Sequence, residues 1–314
     1  MMNTEITTRS TQNLAAQTLS PEMFDRWTAY LDVRERTVET YKKNTNYFLQ
    51  YLIDNQISQP TRETVISYRD SLRATHKATT VHGYIQAVKL FFQWTEQEGL
   101  YPNIAERVKA GKIDPEYKRD FLTANQSRDV IKHIDTETLT GKRDLAIISL
   151  LLTTGLRTIE VTRANKGDLR TLGECTVLFL QGKGRDGKAL FVKVPAVVES
   201  AIRDYFRERG KVSDTEPLFA SHANRNAGER LTTRSVSRIC KEAMQAAGID
   251  DERHTAHSLR HTAGTLALLN GSTITEVQQL LRHSNVNTTL IYAHTLDRLE
   301  SKSEDRISKA IFGK

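Results

Sequence analysis

Apolar residues recur every three or four positions over most of the first hundred residues, a spacing typical of amphipathic helices. Two runs show it most clearly, RTVETYKKNTNYFLQYLIDN and ATTVHGYIQAVKLFFQWTEQEG, and TRETVISYRDSLRA between them predicts one more helix. A helix start precedes them at Ser20, with Pro21 in the first helical position and Glu22 near the positive end of the helix dipole. We therefore predict an all-helical domain of four or more helices over residues 20–104. Its predicted core positions are Val38, Tyr41, Phe48, Leu52, Val81, Ile85, Val88 and Phe92.

A polar, charged segment at 105–120 separates this region from the rest of the chain. It lacks regular apolar spacing and contains Gly111 and Pro115, which is typical of a linker between domains. The residues ahead of the first helix, 1–19, are polar and are predicted to be flexible. A second domain is therefore predicted over 121–314.

The second domain combines helical and strand patterns. Thr123 and Gln126 have the spacing of a capping box at a helix start, and so do Thr273 and Glu276. The run RDLAIISLLLTTGLR predicts a mostly buried helix, and the β-rich runs ECTVLFLQ and KALFVKVP, joined by GKGRDG, predict a hairpin. The predicted fold class is therefore mainly α, with two domains and a small β-sheet in the second.

Composition narrows the class of protein. With 314 residues, 38% of them apolar, the chain is long enough for two hydrophobic cores. It has no run of about 18 apolar residues and no apolar signal core at its start, so we expect a cytoplasmic protein without a membrane partner. Cys175 and Cys240 lack C-x-x-C spacing and are interpreted as reduced, partly buried thiols. The net charge of +7 suits a nucleic acid partner, although it fits a merely soluble basic protein equally well.

Candidate chemical groups gather in the second half of the chain. The motif HSLRH places His257 and Arg260 three residues apart, which puts both on one face of a helix. The motif TGLRTIE gives Arg157 and Glu160 the same spacing on another predicted helix. The remaining candidates are Lys183 in the predicted hairpin turn, His283 at a helix end and Tyr292 nine residues later.

Together, side chains of these types can catalyse the in-line attack of a phenol on a phosphodiester without a metal. Paired guanidinium groups match two phosphate oxygens, a histidine can accept the proton of an attacking phenol, and a lysine can protonate the departing oxygen. No cluster of three or four carboxylates suggests a two-metal nuclease, so we expect neither a metal nor a cofactor. Taken singly, each residue is more often structural. Glu160 is interpreted as positioning Arg157, His261 as a structural hydrogen-bonding residue, and Thr288 and Thr289 as turn or capping residues.

The order of four motifs is more specific than any single residue. TGLRTIE, GKG, HSLRH and LLRHSNVNTTLIYAH closely resemble the tyrosine recombinase family of phage integrases and Xer proteins, and the likeness covers about residues 20–300. The resemblance implies a SAM-like, core-binding helical domain ahead of the catalytic domain. RDGK after GKG departs from the family's more compact turn and leaves Lys188 as an alternative to Lys183. The roles implied are phosphate binding by Arg157 and Arg260, protonation of the 5′ oxygen by Lys183, acceptance of the phenol proton by His257, a phosphate hydrogen bond from His283, and nucleophilic attack by Tyr292.

The resemblance also implies a reaction and partners. The phenol joins the 3′ phosphate, and the 5′ hydroxyl of a partner strand later displaces it, so no ATP is needed. Family members act as homo-tetramers on two double-stranded DNA sites with inverted-repeat core sequences, through a Holliday junction. The expected place of action is the nucleoid, and the resemblance allows for an accessory protein that sets direction. The C-terminal tail, where Ile307, Ala310 and Ile311 form an apolar stripe, is expected to dock on a neighbouring protomer or to pack on its own chain.

Basic and polar residues in both domains are candidates for DNA contact. Most such residues touch phosphate and carry no sequence information. In the second domain, Arg234, Arg238 and Lys241 share one helix face that could enter a major groove. A solvated charged face is the competing interpretation for each residue. The full set is Lys42, Lys43, Lys77, Thr79, Thr80, His82 and Lys89 in the first domain, and Arg225, Arg230, Thr233, Arg234, Arg238 and Lys241 in the second.

Four functions remain open from the sequence. The favoured one is integration, excision or resolution of a mobile element by site-specific recombination. The alternatives are Xer-type resolution of chromosome or plasmid dimers, a catalytically silent DNA-binding relative, and an enzyme like a type IB topoisomerase. The intact set of six site residues argues against the silent relative.

Overall fold

The computed structural model describes residues 21–111, 120–182 and 187–313. The chain divides into two compact units, Met1–Glu116 and Tyr117–Lys314, each with its own hydrophobic core. Helices dominate both units, and the strands form one small sheet in the second unit. The predicted fold class is confirmed.

The first unit is helical where it is described. Trp27 of its first helix is fully buried, and the second and fourth helices pack against each other around Phe48 and Phe92. Six of the eight predicted core positions are buried, and Val38 and Tyr41 are partly exposed at the rim. The helices are α1 (Pro21–Tyr30), α2 (Glu35–Asp54), α3 (Arg62–Arg73) and α4 (Ala78–Gln97).

The first core extends beyond the predicted domain end at residue 104. Tyr101, Ala105 and Val108 are buried in it, and the Tyr101 hydroxyl donates a hydrogen bond to the Pro60 carbonyl at 2.8 Å. The predicted start of the linker at residue 105 is therefore wrong, because Ala105 and Val108 pack in the core of the first unit. The rest of that segment, 112–119, lies outside the described residues.

The second unit is built around one buried helix, as RDLAIISLLLTTGLR predicts. That helix, α6 (Leu139–Thr154), carries Ile147, Ile148, Leu150 and Leu151 in the core and packs against α8 (Ala196–Arg209) and α10 (Ala256–Leu269). The helices are α5 (Ala124–Lys132), α6 (Leu139–Thr154), α7 (Thr158–Arg163), α8 (Ala196–Arg209), α9 (Thr233–Ala246), α10 (Ala256–Leu269), α11 (Ile274–Leu281), α12 (Asn287–Glu300) and α13 (Ser303–Phe312).

Local sequence signals fix several helix ends in this unit. Both predicted capping boxes are present: the Thr123 side chain accepts from the Gln126 N–H at 3.2 Å, and the Thr273 side chain accepts from the Glu276 N–H at 3.2 Å. The end of α6 is marked by Gly155, in the left-handed region with φ 57°. A Cβ at Gly155 would also lie 2.5 Å from a methyl group of Leu281, so glycine permits α6 and α11 to end side by side.

Three antiparallel strands form the sheet, in the order β1 (Leu169–Leu172), β2 (Cys175–Leu180) and β3 (Leu190–Lys193). The pairing of β2 with β3 confirms the two predicted β-rich runs. The sequence patterns do not predict β1, since three of its four residues are exposed and no apolar alternation marks it. The residues at the hairpin tip, 183–186, lie outside the described part.

Candidate active site

The candidate site lies where α6, α7, α10, α11 and α12 meet. Arg157 is the N-cap residue of α7. Its spacing with Glu160 instead predicts that both residues lie within one helix. Its backbone N–H donates to Glu160 Oε2 at 2.7 Å, and its Nη1 donates to Glu160 Oε1 at 3.0 Å. Glu160 is buried, with 1% of its surface exposed, whereas 29% of the Arg157 side chain is exposed. The carboxylate therefore holds the guanidinium from behind.

Arg260 is the most deeply buried cation of the site, with 2% of its surface exposed. Its two terminal nitrogens donate hydrogen bonds to the Gly155 and Leu281 carbonyl oxygens, which end α6 and α11. Burial lowers the pKa of Arg260, and the neighbouring Arg157 and Arg282 charges add to this shift. An anionic phosphate would reverse that shift, so the site favours an anion.

The imidazoles and the phenol lie together. The rings of His257 and His261, one turn apart on α10, are 4.7 Å apart between centroids, and the His261 and Tyr292 rings are 5.2 Å apart. The His283 and Tyr292 rings are stacked, with centroids 6.3 Å apart and planes 8° apart. The candidate nucleophile and three imidazole rings thus form one group of neighbouring side chains within one chain.

Tyr292 occupies the buried side of α12 and has 3% of its surface exposed. It packs against Val277 and Leu281 in a small apolar cluster, and its phenol lies close enough to influence the pKa of Arg260. The structure therefore places the tyrosine near Arg260 of its own chain.

Thr289 is a polar partner of the site that the sequence analysis interprets only as a turn or capping residue. Its buried hydroxyl and the Nδ1 atom of His283 form a hydrogen bond of 2.9 Å. Burial, followed by the charges of Arg260 and Arg157, lowers the pKa of His283 to about 4. His283 is therefore neutral near pH 7, and the Thr289 hydrogen bond fixes the orientation of its ring.

The low pKa of His283 predicts a pH dependence of stability. An unfolded histidine has a pKa of about 6.5. Between that value and about 4 the unfolded chain takes up a proton that the folded His283 does not, so stability falls as the pH falls. In His283→Gln, the loss of Tm between pH 7 and pH 5 should be about 2 °C smaller, because water screens part of the effect at a half-buried ring.

Thermal melts at the two pH values check this prediction, with His133→Gln, at the exposed end of α5, as the control. His222, whose pKa burial also lowers, contributes equally to both proteins and cancels in the comparison. An equal loss of Tm in wild type and His283→Gln would contradict the prediction.

Arg282 is the cation that the sequence analysis misses altogether. It ends α11, and its Nη2 donates to Glu160 Oε2 at 3.0 Å and to the Gly155 carbonyl at 3.1 Å. Its side chain is 9% exposed. The motif LLRHSNVNTTLIYAH contains Arg282 but gives it no role, because a basic residue in or after the last turn of a helix is ordinarily a surface residue.

The two candidate lysines differ in their surroundings. Lys183, the favoured one, lies outside the described residues. Lys188 forms an ion pair with the buried Asp168, whose Oδ2 also accepts the Asn165 N–H at 2.6 Å. This pair ties the base of the β2–β3 hairpin to the segment before β1, which favours a structural role for Lys188.

The candidate DNA-contacting residues of the first unit lie on α2 and at or after the start of α4. Lys42 and Lys43 are exposed on α2, and Lys77 is the N-cap residue of α4. Thr79 and Thr80 are exposed in its first turn, whereas His82 and Lys89 are partly buried further along it.

In the second unit the candidates divide into two groups. Arg225, Thr233, Arg234 and Arg238 are exposed, and Arg238 forms an exposed ion pair with Glu242. The other two, the exposed Arg230 and the partly buried Lys241, donate hydrogen bonds within the unit. Arg230 donates to the Thr162 and Ala164 carbonyls and to Asn165 Oδ1, and Lys241 donates to the Asp251 carbonyl and pairs with Asp250. These bonds favour structural roles for Arg230 and Lys241.

A cavity of about 930 Å³ lies beside the candidate site. Arg157 and His257 line it together with Lys241, Asp250 and Asp251. Within residues 21–111, 120–182 and 187–313, no group of three or more His, Cys, Asp or Glu side chains is placed to hold a metal ion. In the same part of the chain, no helix has the length and apolar character needed to cross a membrane.

Comparison with known proteins identifies the class of protein to which this fold and this cluster of side chains belong. The "Phage integrase family" model matches residues 120–298, and the "Phage integrase, N-terminal SAM-like domain" model matches 24–99. The chain is 31% identical to tyrosine recombinase XerA of Pyrococcus furiosus, over 88% of this chain and 90% of the relative. It is 30% identical to a tyrosine recombinase of Thermosipho africanus, over 88% of this chain and 95% of the relative. The chain therefore belongs to the phage integrase family of tyrosine recombinases, as its motifs predict.

Solved structures show the same fold. The XerH site-specific recombinase bound to palindromic difH substrate in a post-cleavage complex matches with a TM-score of 0.69 and 20% identity, over 88% of this chain and 79% of that one. A lambda integrase dimer bound to a COC′ core site matches with a TM-score of 0.67 and 18% identity, over 85% and 96% of the two chains.

Proposed function

We propose that this chain is a site-specific recombinase that cuts and rejoins double-stranded DNA through a 3′-phosphotyrosine formed by Tyr292. The observation that carries the proposal is the grouping of that phenol with His261 and His283, with His257 next to His261, beside the buried guanidinium of Arg260. An attacking phenol needs a proton acceptor nearby and positive charge at the phosphate. Both are present in the same chain.

In the proposed cleavage step, Tyr292 Oη forms a bond to phosphorus as the bond to the 5′ oxygen breaks. His257 takes the phenol proton, Lys183 gives a proton to the departing 5′ oxygen, and Arg157 and Arg260 bind the non-bridging oxygens. In rejoining, the 5′ hydroxyl of a partner strand attacks phosphorus and the tyrosine leaves as the phenol. One phosphoester replaces another at each step, so no ATP is required, and the guanidinium groups are proposed to supply the positive charge at the phosphate.

His283 and its surroundings suit a hydrogen bond to the phosphate. Because its pKa is lowered to about 4, the ring is neutral at physiological pH and one of its nitrogens carries the proton. When the Thr289 hydroxyl donates to Nδ1, Nε2–H is left to donate to a phosphate oxygen. Glu160 and His261 are proposed to orient Arg157 and the Tyr292 ring, respectively, without transferring protons.

Lys183 and Lys188 are separable by mutation. Lys183→Ala should lower the rate of cleavage about 100-fold with unchanged DNA binding, since a general acid contributes on that order. Lys188→Ala should change cleavage less than about threefold and lower Tm by about 3 °C, because it leaves the buried Asp168 without its cation. Single-turnover cleavage of a nicked DNA substrate and thermal melts measure both effects. The reverse pattern would make Lys188 the acid.

The proposed assembly is a homo-tetramer on two DNA sites with inverted-repeat core sequences. One solved relative of the same fold is a lambda integrase tetramer bound to a Holliday junction, with a TM-score of 0.67 and 17% identity. In this chain, α13 exposes Ile307, Ile311 and Phe312, an apolar face that a second copy would cover. Sedimentation of the DNA complex measures the number of protomers.

Phosphate contacts are proposed for the exposed basic and polar candidates of both units and for the partly buried His82 and Lys89. Such contacts fix the protein on the duplex and make affinity fall with salt. Action on DNA would place the protein at the nucleoid, and an accessory protein that sets direction is part of the proposal. The proposed contact residues are Lys42, Lys43, Lys77, Thr79, Thr80, His82, Lys89, Arg225, Thr233, Arg234 and Arg238.

For the biological role we propose integration, excision or resolution of a mobile element. Xer-type dimer resolution is the second candidate, and the relative named XerA favours it. The test is to trap covalent protein–DNA adducts in cells and to sequence the attached DNA. Attached sequences at the ends of a mobile element support the first role, and one inverted repeat per chromosome supports the second. Recovery of no attached DNA would contradict both.

A further inference from the structure

The backbone at Arg282 is unusual for a residue with a long side chain. Arg282 has φ 54°, in the left-handed region, which among the described residues it shares only with Gln56 and with glycines. That conformation is costly for a residue with a Cβ. Arg282 nevertheless carries its guanidinium inward, where 9% of the side chain is exposed. The contribution of Arg282 to the site therefore depends on the contacts of its guanidinium.

The guanidinium of Arg282 joins three elements of the site. Nη1 donates to the Leu280 carbonyl at 2.6 Å, which holds the end of α11. Nη2 donates to the Gly155 carbonyl at 3.1 Å, at the end of α6, and to Glu160 Oε2 at 3.0 Å, on α7. Arg260 donates to the same Gly155 carbonyl. Both buried arginines thus fix the turn that leads into Arg157.

Glu160 is shared between two arginines of different exposure. Its Oε1 accepts from Arg157 Nη1, whereas its Oε2 accepts from the Arg157 N–H and from Arg282 Nη2. Arg157 is 29% exposed and borders the cavity beside the site, whereas Arg282 lies behind the carboxylate. Glu160 thus transmits the position of the buried cation to the accessible one.

We propose that Arg282 is a positioning residue for cleavage: by holding the buried carboxylate of Glu160 and the turn at Gly155, it fixes the guanidinium of Arg157 in the geometry that binds the scissile phosphate. The inference rests on the proposed function. It assigns to Arg282 no contact with DNA.

The test removes the guanidinium without straining the backbone. Arg282→Gly suits the left-handed conformation, and Gln56→Gly makes the same change at the exposed position with φ 53°. Single-turnover cleavage of a nicked DNA substrate by Arg282→Gly should be about 30-fold slower, with DNA affinity within about twofold, because a small misplacement of a phosphate-binding group is costly. Gln56→Gly should cleave at the wild-type rate.

A double-mutant cycle separates positioning from a merely structural role. If Arg282 acts through Arg157, then Arg282→Gly should slow an Arg157→Lys protein by less than about threefold, whereas independent effects would multiply to about 30-fold. Arg282→Lys should recover part of the rate, since an ammonium can still bind Glu160. If Arg282→Gly does not fold, Arg282→Lys replaces it in the cycle. A full 30-fold loss in the Arg157→Lys background, or wild-type cleavage by Arg282→Gly, would overturn the proposal. Failure of the proposed function itself would appear separately, as adduct formation by Tyr292→Phe.

Discussion

Replacing Tyr292 by phenylalanine should abolish the covalent protein–DNA adduct while leaving DNA affinity within about twofold of wild type. The substitution removes only Oη. The ring should keep its stacking on His283 and its contacts with Val277 and Leu281, so the site should stay folded. The measurement is a denaturing gel of protein incubated with nicked DNA, together with a binding titration of the same protein.

The matched control is Tyr205→Phe. Tyr205 is the other buried tyrosine described in the second unit, and its hydroxyl accepts the Ala220 N–H at 3.2 Å and is hydrogen-bonded to His222. Losing that hydroxyl should lower stability by about 1–3 kcal/mol, because a buried N–H loses its partner, yet the adduct should still form. Adduct formation by Tyr292→Phe at the wild-type rate would remove the basis of the proposed mechanism.

Much of the fold was predictable because its signals are local. The capping boxes that begin with Thr123 and Thr273 need only residues three positions apart, and both form. The α6 core and the β2–β3 pair follow from apolar runs and turn residues. In contrast, Ala105 and Val108 are isolated apolar residues in a charged segment, and only contact with the first core shows that they do not belong to a linker.

The residues of the candidate site were likewise only partly predictable from the sequence. The motifs identify Arg157, His257, Arg260, His283 and Tyr292, which the structure brings together. They do not identify Arg282 or Thr289, whose roles depend on which atoms the fold places within hydrogen-bonding distance.

The DNA-contact candidates show the limit of counting charges. Arg230 and Arg238 look alike in the sequence, since both are basic residues near one helix. In the structure both residues are exposed, but the guanidinium of Arg230 donates to the Thr162 and Ala164 carbonyls, whereas Arg238 forms an ion pair with the exposed Glu242. A basic residue can offer phosphate only the donors that its contacts within the fold leave over, and the sequence does not show which donors those are.

Arg157→Lys should lower the rate of cleavage by about 100- to 1,000-fold, although the positive charge is kept. One side of the Arg157 guanidinium donates to Glu160, and the proposed phosphate needs donors on the other side. An ammonium group carries its three donors on one nitrogen and has no planar fork. It would pair with the buried Glu160 and leave the developing charge on the phosphate without a planar partner.

The control for Arg157→Lys is Arg163→Lys at the other end of α7, which changes the same chemical group outside the cluster and should leave cleavage within about twofold. Single-turnover adduct formation measures both variants, and Tm shows whether the fold persists. Because lysine can still pair with Glu160, stability should change little, and the loss should lie in the chemical step. Undiminished adduct formation by Arg157→Lys would mean that the buried Arg260 alone supplies the charge at the phosphate, and the paired-guanidinium mechanism would fail.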